Sequence, residues 1–145
     1  MESWRDSLSE DAQDEMDELL SHSLEAAIEF LEKNKQFYPF AFALSADGDI
    51  SLQAIDTGQE FNNSSSLIVE LKTALQSIRE DLRAVALVAD VTVNQTASSA
   101  IQVQIEHREG IAITVTAPYS FRGLFKKAVE LDELSAASTE RFIWT

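Results

Sequence analysis

The sequence predicts an α+β fold for residues 1–145: a two-layer single domain whose mainly antiparallel five-stranded sheet carries two helices on one face. Three observations carry that expectation. Two segments repeat apolar residues at helical spacing. Others alternate apolar with polar residues or run apolar throughout. Glycine-bearing turns separate the strands that should pair. The order is helix, two strands, helix, three strands and a C-terminal tail.

The first helix is expected over Glu10 to Lys33. Ser7 stands at capping-box spacing from Glu10, and Ser9 is a second possible cap. Ala12, Met16, Leu19, Leu20, Ser23, Ala27, Ile28 and Leu31 share one face, while Asp11, Asp14, Glu15, Glu18, Glu25 and Glu29 fall mostly off it. Carboxylates crowd the start and Lys33 and Lys35 close the end, an order that suits the helix dipole. Residues 1–9 are expected to be flexible.

A hairpin follows. A three-residue loop, Ala46 to Gly48, pairs Leu44 with Ile50 and Phe42 with Leu52, which puts the apolar side chains on one face. It also gives Gly48 the left-handed position such loops need. The second helix is expected over Ser65 to Asp81, capped by a preceding Asn or Ser, with Leu67, Leu71, Ala74, Leu75, Ile78 and Leu82 as its buried stripe.

Ala84 to Val93 is apolar on both faces and should be a central strand. Ala100 to Arg108 alternates Ile101, Val103, Ile105 and His107 with Gln102, Gln104, Glu106 and Arg108. Ile111 to Ala117 alternates likewise, and Arg108-Glu109-Gly110 repeats the turn device. Pro118 is expected to end that strand. In the tail over residues 120–145, Gly123 to Leu134 suits a short helix, or Ala128 to Leu131 an edge strand, and Phe142-Ile143-Trp144 is apolar enough to dock on the body.

The chain carries 11 basic and 25 acidic residues, a formal charge of −14. Phosphate neutralisation needs clustered cations, so neither a nucleic acid nor an anionic membrane is expected as partner. A basic protein partner is electrostatically allowed. There is no cysteine, which excludes disulfides, thiolate metal sites and cysteine nucleophiles and suits a reducing cytoplasm.

No catalytic signature stands out. His22 lies at helical spacing from Glu18, Glu25 and Glu29, a set that could hold a divalent ion but reads more simply as a solvated acidic face. Glu10 to Glu18 lacks the glycine turn and alternating oxygen ligands of a calcium loop. No glycine-flanked serine elbow and no phosphate-cradling loop occurs. His107 reads as a rim imidazole satisfied by one hydrogen bond. Asp90 interrupts an apolar strand, where a buried carboxyl would titrate high, but an outer position in water beside Thr92 is the preferred reading. Catalytic residues, cofactor and metal are therefore all expected to be absent.

Tyr119, Phe121, Arg122 and Phe125 form an aromatic-basic cluster with Lys126 and Lys127. They suit an interface anchor, or else the aromatics close the core's end while the cations face the acidic first helix. Gln102, Gln104, Thr114 and Thr116 make a polar sheet face open to water or a partner. Tyr119, Phe121, Arg122, Gln102 and Gln104 are the candidate interaction residues.

The element order resembles profilin-like and roadblock architectures. Phe37-Tyr38-Pro39-Phe40-Ala41, Ala117-Pro118-Tyr119 and Arg141-Phe142-Ile143-Trp144 look like small uncharacterised bacterial proteins, a likeness that implies a bacterial, cytoplasmic setting and carries no activity. The expected function is non-enzymatic protein–protein interaction, with a protein partner or a homodimer. The alternatives are an acidic inhibitor of the immunity-protein kind, neutralising a basic toxin, and a small-molecule binder or enzyme.

Overall fold

A computed structural model describes residues 8–54, 64–93 and 98–145. Helix α1 spans Glu10–Asn34. Ser9 is its cap: the Ser9 hydroxyl accepts the Ala12 N–H at 3.1 Å, satisfying one of the amides a helix start leaves unpaired. The proposed Ser7 cap lies outside the described residues. At the other end Lys35 turns left-handed, with φ 66°, and donates its N–H to the Leu31 carbonyl at 2.8 Å.

Strands β1 (Phe40–Ser45) and β2 (Ile50–Gln53) pair in the predicted register, Leu44 with Ile50 and Phe42 with Leu52. Gly48 takes φ 93°, so the turn uses the freedom only glycine has there. Helix α2 covers Ser64–Ser77 and stops short of Asp81. Ile78 leaves the helical region and is partly exposed, and Arg79–Asp81 make one tight 3-10 turn into the next strand. Leu67, Leu71 and Leu75 are buried as expected, whereas Ala74 faces water.

Strands β3 (Leu82–Val93), β4 (Ser98–His107) and β5 (Ile111–Arg122) form the antiparallel centre. β6 (Ala128–Leu131) and β7 (Ser135–Ser138) follow. Among the described residues the curled sheet has seven strands, not five, in the order β2-β1-β3-β4-β5-β6, with β7 also on β5. The extra two come from the tail, where the edge-strand alternative at Ala128–Leu131 is the one realised.

Pro118 does not end β5. It pairs opposite Ala100, and its carbonyl points away from β4 to accept the Asp132 N–H at 2.7 Å. The missing N–H of Pro118 therefore faces the same side, at the junction between the β7 partner Thr116 and the β6 partner Tyr119, so the β4–β5 ladder loses no bond.

The helices lie on opposite faces of the sheet, which corrects the one-face expectation. Met16, Leu19, Ala27 and Leu31 of α1 pack with Phe40, Leu44, Ala84, Ala86, Val88, Ile101, Val103, Ile105, Ile113 and Val115. Leu71 and Leu75 of α2 pack with Ala41, Ala43, Val85 and Leu87, which alternate with the first set and so point the other way. The cause is the apolar character of β1 and β3 on both sides. A strand buried on both faces needs cover on both, and the small Ala41 and Ala43 let α2 come close.

The C-terminal segment completes the second face. Phe142 and Ile143 join the α2 cluster, as the apolar tail predicts. They are held by Glu106, which the alternation assigns to the polar face of β4 but which is fully buried. Its carboxylate accepts the backbone N–H groups of Phe142 and Ile143 at 2.7 Å each, that of Trp144 at 3.0 Å and Arg141 Nε at 3.0 Å. Gln76 Nε2 donates to the Phe142 carbonyl at 2.6 Å from α2. A buried charge is tolerable only when hydrogen-bonded this fully.

Candidate functional site

Among the described residues, three places bring chemistry-bearing residues together. The first joins the start of α1 to the β4–β5 turn. His107 is 2% exposed. Its Nδ1 accepts the Glu109 N–H at 3.1 Å, so the ring proton sits on Nε2 and is donated to Glu15 Oε1 at 2.9 Å. Arg83 NH1 donates to the other Glu15 oxygen at 2.7 Å. Burial pushes the Glu15 carboxyl up, but the hydrogen bonds from His107 and Arg83 and the Arg83 charge outweigh it and hold the group below its ordinary value. The Ser9 hydroxyl and N–H both donate to Glu109, lowering that carboxyl too. Both His107 nitrogens are committed, leaving no lone pair for a general base. The cluster fastens α1 to β3 and β4.

The second is a recess of about 620 Å³ where α1 gives way to β1. Phe30, Phe37, Pro39 and Phe40 wall it, Tyr38 and Leu52 stand half-exposed at its rim, and Asn34, Gln36 and Asp90 supply polar groups. The rings brace one another: Phe30 meets Phe40 edge-on at 5.2 Å between centroids, and Phe37 lies 5.4 Å from Phe40. Asp90 is half-buried on the α1 face, not in water beside the exposed Thr92. Its Oδ1 accepts the Tyr119 hydroxyl at 2.7 Å, and the Phe37 N–H donates to it as well. Burial raises the Asp90 pKa, and these two donors only partly offset it. Tyr119 is itself pushed up to about 12, by burial first and then by the Asp90 carboxylate.

The third is the tip of the β5–β6 hairpin. Gly123 takes φ 86°, and Leu124–Lys126 make a tight turn in which Phe125 is left-handed at φ 67°, ψ 10°. Leu124 is 84% exposed and Phe125 77%. Lys127 Nζ lies 5.9 Å from the Phe125 ring centre, and Arg122 pairs with Glu130 at 3.2 Å across the hairpin.

The sequence-derived candidates do not converge. Tyr119 and Phe121 lie on the α1 face, ring centroids 5.7 Å apart, and pack against the main core. Gln102 and Gln104 pair with Thr116 and Thr114 on the opposite face, where all four are half-buried. Arg122 alternates away from Phe121 into solvent. The aromatic-basic cluster thus divides: Tyr119 and Phe121 close the core, and Phe125 projects. His22 donates from Nδ1 to the Glu18 carbonyl at 2.9 Å and meets Phe42 edge-on. Among the described residues no group of three His, Asp or Glu is arranged to hold a metal ion.

The Glu15–His107 pair and the Asp90 recess were missed as assemblies, because each joins residues 29 to 92 positions apart. The apolar setting of Asp90 was the one available signal. Searches against protein-family models, curated proteins and solved structures return no match to this chain. No helix among the described residues is long and apolar enough to cross a membrane.

Proposed function

We propose that this chain is a non-enzymatic protein-interaction module of the cytoplasm, that the tip of the β5–β6 hairpin is its contact element, and that its partner is a second copy. The observation that carries the reading is the exposure of Leu124 and Phe125, side by side, on a backbone that holds Phe125 left-handed. A left-handed non-glycine residue costs on the order of 1–2 kcal/mol, and an exposed apolar pair contributes nothing to the core. Large exposed apolar side chains rimmed by charge are what interfaces use.

Charge supports self-association. Lys127 stands at the tip on a protein of net charge −14, beside Arg122 in its exposed pair with Glu130, so the surface Lys127 attracts is an acidic one. The chain offers such a surface along α1, where Asp11, Asp14 and Glu18, then Glu25, Glu29 and Glu32, recur every three or four residues within each group, all exposed. A twofold pair makes the tip-to-α1 contact twice. Light scattering at increasing concentration tests this: mass above one chain, reduced by high salt, is expected, and a monomer under every condition contradicts it.

The same acidic stripe favours a second reading, an inhibitor that docks a basic protein along α1. Under that reading, replacing Asp14, Glu18 and Glu25 by Asn or Gln slows association, while changes at Leu124 and Phe125 leave it intact. Self-association requires both surfaces.

A further inference from the structure

The recess beside Asp90 sets a carboxylate among aromatic walls and shares no lining residue with the hairpin tip. Its volume, about 620 Å³, lies in the range that holds small organic ligands. Phe30, Phe37 and Phe40 wall it, so its interior suits an apolar body. Asp90 is the only ionisable group in its lining among the described residues apart from the rim phenol of Tyr38. Asp90 is held by neutral donors alone, the Tyr119 hydroxyl and the Phe37 N–H. No lysine, arginine or histidine among the described residues pairs with it.

A half-buried carboxylate oriented by neutral groups keeps its charge uncompensated, and two bonds leave it room to accept more. Tyr119 is not part of the lining, so its hydroxyl reaches Asp90 from outside the recess. An ammonium group satisfies both features, since it pairs with the carboxylate while aromatic faces attract the cation.

We infer that the recess is a binding site for a small ligand carrying a protonated primary amine on an apolar or aromatic body. The carboxylate takes the ammonium, the phenylalanine walls take the body, and Tyr38 and Leu52 border the entrance. A carboxylate or phosphate ligand is refused by the Asp90 charge.

Phenethylammonium is a suitable probe, with phenethyl alcohol as its neutral counterpart, each titrated into the full chain and followed by amide NMR shifts. The expected result is a saturable response centred on Phe37, Tyr38 and Asp90, with the alcohol binding at least about tenfold more weakly. Asp90→Asn should lose about the same factor while keeping a dispersed native spectrum. The alcohol comparison needs no variant, so it stands even if that substitution impairs folding. Equal binding of amine and alcohol overturns the assignment, as does an amine response confined to the acidic face of α1 or no saturable response at all.

Discussion

Glu106 and Phe142 stand 36 positions apart, yet the Glu106 Oε1 accepts the Phe142 N–H at 2.7 Å with no part of Glu106 open to water. The same oxygen takes the Ile143 N–H at 2.7 Å, and the other takes Trp144 and Arg141. One carboxylate thus fixes the C-terminal segment that covers the second sheet face beside α2.

Replacing this carboxylate by an amide sets an NH₂ donor against backbone donors. Glu106→Gln should destabilise the fold by about 3–5 kcal/mol, the range for breaking a buried charged network. Urea unfolding measures it. A loss under about 1 kcal/mol means the segment is held by Phe142 and Ile143 packing instead.

Glu15 makes stability depend on acid. Its folded pKa lies below the ordinary 4.5, so its contribution is complete above that value and is lost as pH falls through the lower folded value. Glu15→Gln removes that contribution. The stability gap between wild type and variant should be widest near neutral pH and narrow below pH 4.5, as followed by thermal unfolding. A gap that is constant with pH contradicts the ion-pair role.

Asp90 acts in the opposite sense. Its folded pKa is raised above 3.8, so its favourable contribution is present below that value and is lost as pH rises through the folded one. Tyr119→Phe removes a donor that stabilises the charged form. A carboxyl-carbon NMR titration should show Asp90 above 3.8 in wild type and higher still in the variant. An unchanged midpoint would mean the Tyr119 bond does not orient the carboxylate.

The hairpin tip should separate stability from association. Phe125→Gly relieves the left-handed strain at φ 67° and removes a side chain that packs on little. Stability should hold or rise by up to about 1 kcal/mol. A fall of that size, read from denaturant unfolding, would place Phe125 in the fold instead of at its surface.

Much of the fold was legible because local patterns and tertiary demands agreed. The hairpin register followed from Leu44 facing Ile50 and from Gly48 in the turn. The doubly apolar β3 already implied cover on both faces, and only the placement of α2 hid that. Glu106 was illegible because alternation reports which face a residue points to, not what later lands on that face. Pro118 misled for a related reason: its missing donor would break the β4 ladder only if it faced β4, and it faces the other side, where the tail's β6 and β7 meet. The Asp90 site needed Tyr119 and Phe37 brought together from β5 and the α1–β1 connection.

The most direct measurement is sedimentation velocity of wild type beside Leu124→Ser/Phe125→Ser, from about 10 µM to about 1 mM, since a small contact gives weak association. The wild-type sedimentation coefficient should rise with concentration, and the double variant should stay a monomer with an unchanged circular dichroism spectrum. A wild type that stays monomeric throughout, or a variant that associates equally well, contradicts the hairpin tip as the contact element.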